Sequence, residues 1–82
     1  MFYVYVLYSR KLNRKYIGMT ENVSKRLKEH NSGKTKSTKG FIPWEHKHFE
    51  EFSTRPEARE REKYLKSGVG REFLKRFLNL DF

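Results

Sequence analysis

The run Phe2-Tyr3-Val4-Tyr5-Val6-Leu7-Tyr8 has no polar face. Successive side chains of a strand point to opposite sides, so Tyr3, Tyr5 and Leu7 share one face and Phe2, Val4, Val6 and Tyr8 the other. A strand that is apolar on both sides is covered on both and lies inside a sheet. Ser9 to Arg14 is polar and carries turn chemistry at Asn13, and a second β-rich run follows from Lys15 to Thr20. Together they predict a hairpin at the sheet centre. Gly18 leaves backbone uncovered within the second strand and lets another group come close. The same hairpin is expected to present Tyr5 and Tyr16 near its surface.

Asn22 is a good helix N-cap and Gly33 a good stop, which predicts a helix between them. Val23 and Leu27 form its narrow buried stripe. Arg26 and His30, one turn apart, fall at the edge of that packed face and point toward the sheet. Residues 34 to 43 read as a mobile basic loop. Lys34, Lys36 and Lys39, with Thr38 and its neighbouring hydroxyls, suit phosphate oxygens and equally suit a solvated linker. Pro43 holds Ile42 extended. A third strand is predicted from Trp44 to Phe52, with Trp44, His46, His48 and Phe52 on one face and Phe49 on the other. The two histidines have a spacing that suits a metal, but a third ligand is missing and a strand face explains them better.

Thr54-Arg55-Pro56-Glu57 is a capping box with proline in the first turn. The helix it opens is expected to reach about Ser67, with Gly68 as its C-terminal stop. Ala58 and Leu65 are its buried stripe, and Glu62 falls on the same side. A carboxylate there costs energy unless it is paired or holds a cation. An ion pair with Lys66 explains a surface glutamate but not one facing the sheet. The apolar pairs Phe73-Leu74 and Phe77-Leu78 predict a short closing helix from Arg71 to Leu78. The order β-β-α-β-α-α describes an α+β fold: a small three-stranded antiparallel or mixed sheet flanked by about three helices, as a single domain over residues 1–82.

The charge narrows the function. Nineteen Lys and Arg against ten Asp and Glu leave +9 on 82 residues, which favours a polyanionic partner, nucleic acid before an anionic membrane. No apolar run approaches the ~18 residues that span a bilayer. Cysteine is absent, which excludes the disulfide-rich secreted class. The first residues lack the features of a signal peptide, so a cytoplasmic protein is expected. Two tyrosines on a sheet, an Arg and a His on one helix and a carboxylate on another are the parts that phosphodiester cleavage needs: proton transfer, a cation for the transition state and a metal ligand.

With these residues in place the chain resembles a GIY-YIG nuclease domain. Tyr3-Val4-Tyr5 stands where that family has Gly-Ile-Tyr, so Tyr3 replaces the first glycine. Tyr16-Ile17-Gly18 matches the second element letter for letter. Arg26 and His30 match its Arg-x-x-x-His helix, and Glu62 its metal-binding glutamate. The Thr38-Lys39 loop and the Gly68-Val69-Gly70-Arg71-Glu72-Phe73 segment look like the small standalone bacterial branch, whose members resemble the cleavage subunit of the excision-repair nuclease. The resemblance implies a metal-dependent DNA endonuclease linked to repair or processing, with little sequence choice. Tyr5 would be the general base or relay the proton of water. Tyr16 would position water or phosphate, Arg26 bind the scissile phosphate, His30 assist proton transfer, and Glu62 hold one Mg²⁺ or Mn²⁺. DNA is the expected substrate ahead of RNA, with repair proteins as further partners. The alternatives are a non-catalytic nucleic-acid-binding module on the same fold and a protein-interaction module without chemistry.

Overall fold

The computed structural model describes residues 1–82. In chain order it runs β1 (Phe2–Ser9), β2 (Arg14–Thr20), α1 (Val23–Asn31), a 3₁₀ turn (Lys39–Phe41), β3 (Glu45–Phe52), α2 (Arg55–Lys66) and α3 (Gly68–Leu78). The sheet is antiparallel throughout, in the order β2-β1-β3, so the doubly apolar strand is the central one. Its alternation divides the core in two. Val4 and Val6 face Ala58 and Leu65 of α2 and Leu74 of α3, together with Ile17. Tyr5 and Leu7 face the other way, against Trp44 and the half-buried Val23 and Leu27 of α1. The hairpin turns at Asn13, whose φ of 52° is left-handed. Its side chain accepts the Tyr8 hydroxyl at 2.6 Å and donates to the Asp81 carbonyl at 2.7 Å, tying the turn to the chain end.

The third strand departs from simple alternation. Val6 stands opposite His48, but Leu7 stands opposite His46, so Lys47 is an extra residue in a β-bulge. One inserted residue sends the side chains beyond it to the other face. His46 therefore lies on the α1 side, 5.5 Å from the Phe49 ring, and His48 on the α2–α3 side, 5.0 Å from the Phe77 ring. Trp44, His46, His48 and Phe52 do not share a face, and the two histidines cannot share an ion.

His48 belongs instead to a charged cluster that joins β3 to α2. Glu50 accepts from His48 Nε2 at 2.9 Å and from Arg61 Nε and Nη2 at 2.7 and 3.2 Å. Burial works to raise the Glu50 pKa, but the bonds and charges of Arg61 and His48 outweigh it and hold the group below its ordinary value. A carboxyl depressed in the folded state stabilises above its unfolded pKa of ~4.3 and loses that contribution as pH falls through the folded value. Glu50→Gln is accordingly expected to cost about 1–3 kcal/mol at neutral pH. In urea unfolding at stepped pH, the gap between wild type and variant should close only in acid.

The helices start where the capping residues lie. Asn22 accepts from the Lys25 amide at 3.0 Å, and Thr54 accepts from the Glu57 amide at 3.4 Å. The junction of α2 and α3 differs from expectation. Gly68 is the first residue of α3, and Ser67 serves both helices: its amide donates to Tyr64 O at 3.0 Å and its hydroxyl accepts from the Gly70 amide at 3.2 Å. An extended residue ends one helix and caps the next without a left-handed stop. Three residues after Ser67, Gly70 packs directly on the backbone of Tyr64 and Leu65, where any side chain would collide.

Candidate active site between the sheet and the first helix

Tyr5 points from the central strand toward α1, and its register partner across β2 is Gly18. A Cβ at position 18 would fall 2.5 Å from the Tyr5 hydroxyl oxygen. The glycine therefore makes room for the phenol to cross β2, which is the close approach expected of it. Tyr5 does not lie near the surface: it is 1% exposed. Tyr16, on the same face, is half-buried, with its ring 6.2 Å from that of Tyr5 and 4.7 Å from that of His30.

Helix α1 supplies Arg26 and His30 one turn apart. His30 is the fully buried residue of this helix, at 0% exposure, whereas Val23 and Leu27 are only half-buried. A buried imidazole is tolerable when both nitrogens have partners. Nε2 lies 3.1 Å from the Tyr5 hydroxyl and Nδ1 lies 2.8 Å from Thr38 Oγ1. Arg26 donates to Glu29 at 3.1 Å and lies against the Tyr5 hydroxyl as well.

The segment expected to be an open basic loop folds back to meet His30. Trp44 anchors it. The indole donates to the Thr38 carbonyl at 3.0 Å, and the Trp44 backbone exchanges two bonds with the Asn31 amide, at 2.7 and 3.0 Å. Thr38 is 1% exposed, so it cannot touch a phosphate as its sequence neighbours can. Lys34, Lys36 and Lys39 remain exposed around it. The sole tryptophan, with an N–H that must find a partner when buried, was the one sequence sign of this anchor.

Electrostatics alters the expected chemistry of the tyrosine. Burial pushes the Tyr5 phenol up to about 12, and the charges of Tyr16 and Glu62 act in the same direction. Arg26 pulls the value back but does not win, so the protein's own charges do not make Tyr5 a ready base at neutral pH. Burial first, then the charge of Arg26, lowers the His30 pKa, with Glu29 opposing. The imidazole is neutral at pH 7 and has a lone pair to offer.

Glu62 is carried by α2, which packs on the face of the sheet opposite α1. Its side chain is 12% exposed and pairs with Lys66 at 3.1 Å and with Arg59 at 4.0 Å. The ion pair and the core-side position, expected as alternatives, occur together. Helix α2 packs over β1 and β2, and the Glu62 charge is felt at the Tyr5 hydroxyl. No group of three His, Cys, Asp or Glu residues forms a ready cage for a metal. A lone carboxylate still suits a hard divalent ion such as Mg²⁺, which keeps water ligands and is held by one or two carboxylates together with substrate phosphates. No helix is long and apolar enough to cross a membrane.

The chain as a whole is similar to known proteins. The model of the GIY-YIG catalytic domain matches residues 1–75. The UPF0213 protein CPE1444 of Clostridium perfringens is 43% identical over 67 residues, covering 80% of this chain and 71% of that protein. The UPF0213 protein BLi00048/BL00536 of Bacillus licheniformis is 45% identical over 65 residues, covering 78% of this chain and 66% of its own length. In solution the UPF0213 protein BH0048 of Bacillus halodurans has a similar structure, with a TM-score of 0.56 and 33% identity, covering 94% of this chain and 85% of that one. The central hairpin with its Tyr16-Ile17-Gly18 element, the Arg26–His30 helix and the match over nearly the whole length lead to one conclusion: the chain belongs to the GIY-YIG catalytic-domain family.

Proposed function

We propose that the protein is a metal-dependent endonuclease that hydrolyses phosphodiester bonds in DNA, with weak sequence preference, in DNA repair or processing. The observation that carries the reading is the Tyr5 hydroxyl lying 3.1 Å from the Nε2 of a neutral His30 with Arg26 beside it. A phenol with a pKa of about 12 is almost never ionised at pH 7, so Tyr5 acts as a relay. Its oxygen takes a proton from the attacking water as its own proton passes to His30 Nε2. Arg26 offers its remaining N–H donors to the non-bridging oxygens of the scissile phosphate, where charge accumulates. Tyr16 borders the same space and orients water or phosphate. Glu62 is the residue that would hold Mg²⁺ or Mn²⁺, an ion that when bound supplies positive charge to the phosphate and the leaving oxygen. Lys34, Lys36 and Lys39 hold phosphates further along the strand and read no bases.

One observation favours a second reading. Tyr5 and His30 are 1% and 0% exposed, and a buried hydrogen-bonded pair also serves a non-catalytic nucleic-acid-binding module on this fold. Purified protein incubated with supercoiled plasmid and with branched DNA, with and without Mg²⁺ or Mn²⁺, separates the two. Metal-dependent nicking is the expected result, and absence of cleavage on every substrate leaves the binding module. Both readings share a binding prediction. With ~5 phosphate contacts, the logarithm of the association constant should fall against the logarithm of salt concentration with a slope near −4.5. Salt-independent association, or none at low salt, would remove nucleic acid from either account.

A further inference from the structure

The geometry points to Thr38 as a positioning residue of the site, whose hydroxyl accepts the Nδ1–H of His30 and so keeps Nε2 bare to receive the proton of Tyr5. The inference rests on the reading of Tyr5 and His30 as the proton-handling pair, but its structural core is independent of catalysis. It follows from counting protons. Tyr5 is buried, and its O–H needs an acceptor. Arg26 has only donors, so it cannot be that acceptor. His30 Nε2 is the acceptor within reach, at 3.1 Å. Nε2 therefore carries no hydrogen, and a neutral imidazole then carries its single proton on Nδ1.

The proton on Nδ1 meets Thr38 Oγ1 at 2.8 Å. The threonine oxygen must accept there, which leaves its own proton for the Thr35 carbonyl at 3.3 Å. The chain of donors runs one way: Tyr5 to His30, His30 to Thr38, Thr38 to Thr35. No buried side-chain nitrogen or oxygen in the protein is left without a partner. The reverse order fails at its far end. If Thr38 donated to Nδ1, Nε2–H would donate to Tyr5, and the Tyr5 proton would have no acceptor within the protein, since His30 is its only hydrogen-bond partner there.

Thr38 is also held in place for this task. Its carbonyl accepts from the Trp44 indole at 3.0 Å and from the Phe41 amide at 3.1 Å, and its amide donates to the Thr35 carbonyl at 3.1 Å. Trp44 in turn is fastened to α1 through Asn31, the residue next to His30. The helix that carries the imidazole and the loop that carries the hydroxyl are thus one unit. An acceptor of this kind sets which ring nitrogen is free, and loss of the corresponding partner around metal-bound histidines typically costs about 10–100-fold.

The test is nitrogen NMR of the His30 ring together with cleavage kinetics, on wild type, Thr38→Val and Thr38→Ser. Valine keeps the shape and removes the acceptor; serine keeps the hydroxyl. Wild type should show the Nδ1–H tautomer, with Nε2 unprotonated and hydrogen-bonded to Tyr5. Thr38→Val should shift the ring toward Nε2–H and lower kcat by about 10–100-fold with KM unchanged, and Thr38→Ser should restore both. An Nε2–H tautomer in wild type overturns the inference, as does an unchanged tautomer in Thr38→Val. If the valine variant does not fold, Thr38→Ser decides: retained tautomer supports the hydroxyl's role, and a lost one assigns the effect to methyl packing. If wild type cleaves nothing, the proposed nuclease activity fails, while the tautomer measurements still decide the role of Thr38.

Discussion

Tyr5→Phe should lower cleavage about 10²–10⁴-fold with DNA affinity unchanged. The phenylalanine ring occupies the space over Gly18 that the phenol fills, so only the proton-handling oxygen is lost. The deletion leaves His30 Nε2 without its partner, which should cost about 1–3 kcal/mol of stability. Rates are therefore compared at a temperature where both proteins are folded, in single-turnover assays on plasmid. Activity within a few-fold of wild type would end the relay account. The wild-type pH profile carries the same information. His30 must be neutral to accept, and its pKa lies below its ordinary 6.5, so activity should fall only in acid. A steady tenfold rise per pH unit into the alkaline range would instead indicate a free phenolate with its pKa of about 12.

Glu62→Gln should lower cleavage about 10²–10³-fold, with DNA binding retained or tightened, because a carboxylate beside phosphates opposes binding. The side chain keeps its shape and can still accept a hydrogen bond from Lys66, so the fold should persist. The sign of a second effect makes this variant informative. The Glu62 charge is one of the influences that raise the Tyr5 pKa, and its removal makes the phenol easier to ionise. An account built on proton transfer alone therefore predicts equal or faster cleavage. A loss of rate together with a higher Mn²⁺ requirement, measured by titrating the ion, assigns Glu62 to the metal. Unchanged cleavage at an unchanged metal requirement would exclude it.

Local rules read from the chain carried far in some places. A strand apolar on both faces had to be central, and β1 is. Asn22 and Thr54 have side chains that satisfy free amides, and they start α1 and α2. Helical spacing put Arg26 and His30 on the sheet side, and a glycine in β2 marked a close approach, which the phenol of Tyr5 makes. These features depend on residues within a turn or a strand pair of one another, where backbone geometry alone sets the outcome.

Other properties were decided by partners far along the chain. His30 looked like a boundary residue because its own helix gives it no partner. Tyr5, 25 residues earlier, and Thr38, eight later, make its complete burial possible. Thr38 read as a phosphate contact until the Trp44 anchor drew it inside. The Tyr5 pKa turned on a contest between burial and Arg26, and a sequence shows the cation without showing the depth. At Lys47 one extra residue sent His46 and His48 to opposite faces, since the pairing with β1 sets the register of β3. Short-range rules placed the sheet centre, the starts of α1 and α2, and Arg26 and His30 on the sheet side of α1. Which of the polar residues are buried, which proton each one holds and which way it can move depend on the folded neighbourhood, because desolvation and hydrogen-bond direction arise from the assembled neighbours.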